Sequence, residues 1–94
     1  MFLPQKLYGV IGDPIGHSLS PVLHNAAFQA WGIPAVLLPW RIAAERLADF
    51  VAAARLLPVA GACVTIPHKE KMLSLVDRAT PLARAVGAVN TLYR

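Results

Sequence analysis

Cysteine is nearly absent from this chain. The single thiol, Cys63, excludes a framework of internal disulfides. The N-terminus shows no apolar core region followed by a small-residue cleavage site, so the cytosol is the expected compartment. No apolar run approaches the roughly 20 residues that a bilayer-spanning helix needs, because Arg41, Glu45, Arg55 and Pro58 interrupt the richest stretches. A membrane is not an expected partner. Charge is also scarce, at 15% of residues, and the nine Lys and Arg behind the net +4 are scattered from Lys6 to Arg94 without a cluster or interleaved aromatics. That distribution argues against nucleic acid as a partner and for a solvated surface with mild attraction for small anions.

Apolar side chains are what the sequence has in plenty, 56% of 94 residues. A chain of this length fits one domain with one core, and it buries only about two-thirds of the surface its unfolded form exposes. Two explanations of the excess stand side by side. Some apolar surface expects cover, from a second domain or from a second copy in a homodimer, or the excess is alanine sitting harmlessly on exposed helix faces.

Strand and helix patterns alternate along the chain. Lys6 to Gly12 reads as a short buried strand, broken by Gly12-Asp13-Pro14 and Gly16. Ser20-Pro21 reads as an N-cap with proline at the first helical position. Leu23, Ala26, Ala27, Ala30 and Trp31 then form one apolar stripe until Gly32 and Pro34. Ala35 to Ile42 is a second strand, pushed towards an edge by Pro39. A helix follows over Ala43 to Leu57, with Leu47, Phe50, Val51 and Ala54 on its inner face and Pro58 as its stop. Gly61 to Ile66 is the third strand. Pro67 opens a helix with Met72, Leu75, Val76 and Ala79 inward; Thr80-Pro81 opens a short one closed by Gly87; Ala88 to Tyr93 is the last strand. The order βαβαβααβ predicts an α/β fold of three layers, a mostly parallel sheet with helices on both faces.

Ligands of such sheets sit at the carboxyl ends of the strands. Ser18 and Ser20 follow the first strand, Thr65 ends the third, and Lys69 lies one turn later. Asn90, near the start of the last strand, reaches that edge only if this strand runs against the others, so one antiparallel strand is expected. Two hydroxyls at the positive end of a helix suit a carboxylate; equally, Ser20 is an N-cap and Ser18 a loop residue. An amine in the first turn of a helix carries its positive charge against the helix dipole, which favours proton exchange at neutral pH, while most lysines at helix starts are solvated surface groups, as Lys71 is expected to be. Asn90 stands in an apolar strand, where a buried amide either holds a neighbouring loop or binds a hydroxylated ligand.

Metal binding finds no support. His17 and His24 do not share a helix face at i, i+4, His68 is remote, and no Cys or carboxylate completes a ligand set. The segment Gly12-Asp13-Pro14-Ile15-Gly16-His17 also lacks the spacing of a dinucleotide fingerprint, and Pro14 removes an amide that a phosphate cradle would use.

Taken together, Gly12-Asp13-Pro14-Ile15-Gly16-His17-Ser18-Leu19-Ser20-Pro21, Val64-Thr65-Ile66-Pro67-His68-Lys69 and Gly87-Ala88-Val89-Asn90-Thr91-Leu92 resemble the three signature segments of shikimate dehydrogenases, in order and in spacing. The resemblance runs from Tyr8 to Tyr93 and covers the substrate-binding, N-terminal domain of that family, residues 1–94 here. It implies an NADP-dependent, reversible reduction of 3-dehydroshikimate to shikimate, on the chorismate route to aromatic amino acids. By motif, Ser18 and Ser20 would bind the substrate carboxylate, Thr65 and Asn90 its ring hydroxyls, and Lys69 would transfer the proton. The family pairs that lysine with an aspartate of a downstream Asn-Thr-Asp segment and binds NADP in a C-terminal domain. Neither is present in this chain, so the 94 residues alone are expected to be inactive.

One position departs from the family pattern. Cys63-Val64-Thr65 stands where the family usually reads Asn-Val-Thr, removing a donor and an acceptor from the face that period-two alternation shares with Thr65; Cys63 serves as well as a small buried hydrophobe. Ser rather than Thr at position 20 leans towards shikimate over quinate, since quinate-preferring relatives often carry Thr there. A quinate/shikimate dehydrogenase, a stand-alone binding module for shikimate-like hydroxylated carboxylates, and an interaction domain that binds neither are the alternatives.

Overall fold

The computed structural model describes residues 3–94. Its centre is β1 (Lys6–Gly12), whose last four residues are all buried because layers of side chains cover both faces of the strand. Parallel partners flank it, β2 (Ala35–Arg41) on one side and β3 (Val59–Val64) on the other. The short β4 (Thr91–Tyr93) closes the row antiparallel to β3, giving the order β2-β1-β3-β4. The expected mixed sheet and its one reversed strand are therefore present.

Period-two alternation sorts the side chains between two apolar layers. On one face Ile11 and Val64 pack with Leu47, Met72 and Val89, joined by Trp40, Phe50, Val76 and Leu92. This layer gathers α2 (Leu47–Leu56), α3 (Lys69–Met72) and α4 (Pro81–Val86). On the other face Tyr8 stacks on Phe28 of α1 (Ser20–Ala30), ring centroids 6.0 Å apart. Helices thus cover both faces. No helix among the described residues is long and apolar enough to cross a membrane.

Polar clasps finish what packing begins. The Asn25 amide donates to the carbonyl of Leu37 at 2.9 Å and accepts from its N–H at 2.8 Å, fastening α1 to the edge strand β2. Arg94 donates to the carbonyls of Ala54 and Arg55 at 2.7 and 2.9 Å. A cation there meets the negative end of α2 and ties the end of β4 to it. Thr80 accepts from the Ala83 amide at 3.1 Å, and Gly87 takes the left-handed φ of 80° that ends α4, as the sequence signals predict.

Several boundaries differ from expectation. The third strand lies two residues earlier than Gly61 to Ile66, because Leu57 is already extended and Val59 pairs with Leu7. The helix after Pro67 is one turn long; Leu73, Ser74 and Leu75 donate three residues back, a tighter winding that ends α3 although Leu75 and Val76 still face the core. The last strand begins at Thr91 rather than Ala88, and a single 3₁₀ turn, Ala44–Arg46, precedes α2.

Close approach dictates Gly9, where a Cβ would collide with the Trp40 indole. Gly9→Ala should cost about 1–3 kcal/mol in urea unfolding, and clearly less in a Trp40→Leu background. Equal losses in both backgrounds would show that the indole is not the obstacle.

Candidate functional site

The carboxyl edge of the sheet is built from three connections. After β1 the chain turns through a cis Asp13–Pro14 peptide, and after β3 through a cis Ile66–Pro67 peptide. These two turns meet, the Asp13 amide donating to the Ile66 carbonyl at 3.1 Å. The end of β2 joins them where the Ile42 amide donates to the Gly12 carbonyl at 3.1 Å.

On the first connection the two serines divide their work differently from expectation. The Ser18 amide donates to the Ile15 carbonyl at 3.1 Å, and its hydroxyl oxygen accepts from the Ser20 amide at 3.2 Å. The N-cap residue of α1 is Leu19, with no side-chain cap bond, so Ser20 is not the cap. The reason is conformational: a capping residue is extended, whereas Leu19 is already near helical at φ −88°, ψ −6°. Ser18 thus satisfies a first-turn amide. Both serines are half-buried at the edge.

Thr65 is fixed more firmly. Its amide and its hydroxyl both donate to the Ile11 carbonyl, each at 2.9 Å. With its proton committed, the hydroxyl has lone pairs left over and presents an acceptor to anything beyond the edge. Gly12 leaves the room, since a Cβ there would collide with the Thr65 hydroxyl.

Lys69 and Asn90 are brought together by backbone. The Val89 amide donates to the Lys69 carbonyl at 2.8 Å, and the Val64 amide donates to the Asn90 carbonyl at 2.9 Å. Lys69 is the first residue of α3 and is exposed. Asn90 is exposed too, just ahead of β4, where the chain has left the apolar layer; the expected buried amide is corrected to a surface one whose carbonyl oxygen accepts from the Thr91 hydroxyl at 3.4 Å. Thr65, Lys69 and Asn90 therefore share one corner, and Ser18 and Ser20 occupy the adjoining turn.

A groove of about 790 Å³ lies elsewhere, beside β4 between Phe50, Val59, Thr80 and Arg94, and includes only Asn90 of these five. Around the polar corner Lys69 and Asn90 are exposed, and Ser18, Ser20 and Thr65 are half-buried. Cys63 is half-buried and in register with Val10 and Thr91.

Sequence reasoning passed over three groups at this edge. Asp13 and Arg41 form an ion pair at 2.8 Å across the ends of β1 and β2, a pairing between residues remote in sequence that no local pattern reveals. Lys71, expected to be merely solvated, is exposed and donates to the Ala44 carbonyl at 3.0 Å. His68 is buried, its Nε2 2.6 Å from the Ile42 carbonyl. A signal for that burial exists, because His68 stands four residues before Met72 and seven before Leu75, on the same stripe.

Hydroxyl, amide and amine groups at the carboxyl edge of a small mixed sheet place the chain in the class of α/β substrate-binding domains. A family model described as the shikimate dehydrogenase substrate binding domain matches residues 10–92, and the chain belongs to that family. The shikimate dehydrogenase (NADP(+)) of Pelobacter propionicus is 62% identical over 88 residues, 94% of this chain and 32% of that protein. A crystal structure of the Thermus thermophilus shikimate 5-dehydrogenase in complex with NADP(H) and shikimate superposes with a TM-score of 0.91 at 32% identity, covering 96% of this chain and 34% of that one. The ligand-free 5-ketofructose reductase of a Gluconobacter strain superposes with a TM-score of 0.90 at 27% identity, over 94% of this chain and 32% of that one. The chain spans about a third of the length of these relatives.

The division of labour between the serines is open to test. Ser18→Ala should lower stability by about 1 kcal/mol, the usual worth of a helix-start acceptor, while Ser20→Ala should stay within about 0.5 kcal/mol, as surface changes do. A larger loss in Ser20→Ala, followed by thermal unfolding, would return the cap to Ser20.

Proposed function

We propose that this chain is the shikimate-binding half of an NADP-dependent shikimate dehydrogenase. The observation that carries the proposal is the corner in which the Val89–Lys69 and Val64–Asn90 backbone bonds hold an exposed amine beside an exposed amide and the acceptor hydroxyl of Thr65. Family membership supplies the ligand: a carboxylated ring bearing several hydroxyls.

In this reading the Ser18 and Ser20 hydroxyls donate to the carboxylate at the start of α1, where the positive end of the helix dipole favours an anion. Thr65 accepts from a ring hydroxyl, because its own proton is committed to Ile11, and Asn90 both donates to and accepts from another. Reduction of the ketone leaves an alkoxide oxygen that must be protonated, and the Lys69 ammonium donates to it; in the reverse direction the amine takes the proton back. Proton transfer of this kind contributes about 10²–10⁴-fold to rate.

The residues of this chain do not fit NADP. Pro14 has no amide to offer a phosphate, and the Ser18 and Ser20 amides of the same turn are already bonded to Ile15 and Ser18. The cofactor belongs to a second, C-terminal domain, as does an aspartate partner for Lys69. The exposure of Lys69 and Asn90 supports this division, since a second domain would have to cover them to close a cleft. The cytosol is the compartment that this biosynthetic role implies, a homodimer is one way to cover the remaining apolar surface, and Ser20 favours shikimate over quinate.

Titrating the 94-residue chain with shikimate should shift the amide resonances of Ser18, Ser20, Thr65, Lys69 and Asn90, weakly and without oxidising shikimate in the presence of NADP. Shifts confined to the groove beside β4 would refute the site. In a chimera joining residues 1–94 to the remaining two-thirds of the Pelobacter propionicus enzyme, Lys69→Ala should cut kcat by about 10²–10⁴-fold with little change in KM. Ser20→Ala should instead raise KM and spare kcat, because an anchoring hydroxyl serves ground and transition states alike. The same pattern in both variants would remove the distinction between donor and anchor.

A further inference from the structure

Among the described residues, His68 is the one polar side chain that is fully buried. Its imidazole is 1% exposed, although Pro67 before it and Lys69 after it are exposed. Nε2 lies 2.6 Å from the Ile42 carbonyl, and a carbonyl can only accept, so Nε2 carries the proton. Nδ1 is buried and has no hydrogen-bond partner among the described residues. A leucine would fill the same space without leaving a polar atom stranded, so packing alone does not account for an imidazole here. Its single hydrogen bond is the feature that a hydrocarbon lacks.

That bond reaches a junction. Ile42 accepts from His68 with its carbonyl and donates to the Gly12 carbonyl with its amide, so the ends of β1 and β2 and the start of α3 form one chain of bonds. The backbone of His68 is held as well, its amide donating to Thr65 at 3.0 Å and its carbonyl accepting from Met72 at 2.9 Å. Successive helix residues are set about 100° apart around the axis. Fixing His68 inward therefore fixes the direction in which Lys69 leaves α3. Lys71 ties the same turn to Ala44, but from the exposed side, where water competes for the bond.

We infer that His68 is a positioning residue for Lys69, acting through the Nε2–H bond to Ile42, an inference that rests on Lys69 being the proton donor. The chimera described above tests it. His68→Leu removes the donor and should lower kcat by about 10- to 100-fold while KM for shikimate moves by less than about 3-fold. His68→Gln places an amide N–H at a comparable reach and should recover most of the lost kcat. If the leucine variant does not fold, His68→Asn, polar but too short for Ile42, takes its place. Wild-type kcat in the leucine or asparagine variant, a glutamine variant no better than either, or a loss carried by KM overturns the inference.

A readout free of turnover separates this inference from the proposed function. In the 94-residue chain, His68→Leu should accelerate hydrogen exchange at the Val89 amide, which reports the Lys69 carbonyl, and His68→Gln should not. Unchanged exchange in the leucine variant, or an imidazole ¹⁵N spectrum showing the Nδ1–H tautomer, overturns the positioning role even if Lys69 proves to be the donor. Accelerated Val89 exchange in the leucine variant together with an unchanged kcat in Lys69→Ala would instead leave His68 ordering the turn and refute only the proposed chemistry.

Discussion

The carbonyl oxygen of Ile11 takes two hydrogen bonds from one residue, the amide and the hydroxyl of Thr65, and the polar edge depends on that double attachment. Ile11 is fully buried, so its carbonyl has no water to turn to and must be satisfied from within. Each such bond contributes about 1 kcal/mol net, and leaving the acceptor bare costs more. Thr65 is consequently pinned in rotation as well as in position. Gly12 must lack a side chain for the hydroxyl to pass, so the glycine that ends β1 and the threonine that follows β3 are one requirement expressed at two positions.

The same arrangement repeats around the edge. Thr65 follows Val64, Lys69 follows His68, and Asn90 follows Val89, and each of these preceding residues is almost completely buried. A buried side chain anchors the backbone in the core; the next residue along points outward from an anchored base. Chemistry at the rim therefore takes its precision from the apolar interior, and a void beneath Val89 or Met72 would loosen the Asn90–Lys69 corner without touching either polar group.

Much of this is legible in the sequence where physics is local. Alternating short apolar runs with proline and glycine punctuation give the strand order of types, and Thr80-Pro81 with Gly87 marks a helix at both ends because capping involves residues three or four apart. The reversal of the last strand is legible too, once Asn90 is required at the same edge as Thr65. What escapes notice depends on backbone conformation that residue types do not dictate, or on contacts remote in sequence. Ser20 looks like an N-cap, but the conformation of Leu19 hands the acceptor role to Ser18. The stripe from Pro67 through Ala79 looks like one continuous helix, but three-residue winding ends it after a single turn. His68, already set aside as a metal ligand from the sequence, shows its role only when Ile42, 26 residues away in sequence, is seen to hold its ring.

The amide of Asn25 has an effect on the sheet as a whole. By occupying both backbone groups of Leu37 on the outer side of β2, it takes the place of a neighbouring strand, and two residues further on Pro39 has no N–H to offer. That margin of the sheet is terminated, as edge strands must be if they are not to recruit other chains. The opposite margin carries the three residues of β4, with no such clasp among the described residues. The two margins of the sheet are therefore unlike: beyond β2 the backbone of Leu37 is already taken, and strand addition there is blocked.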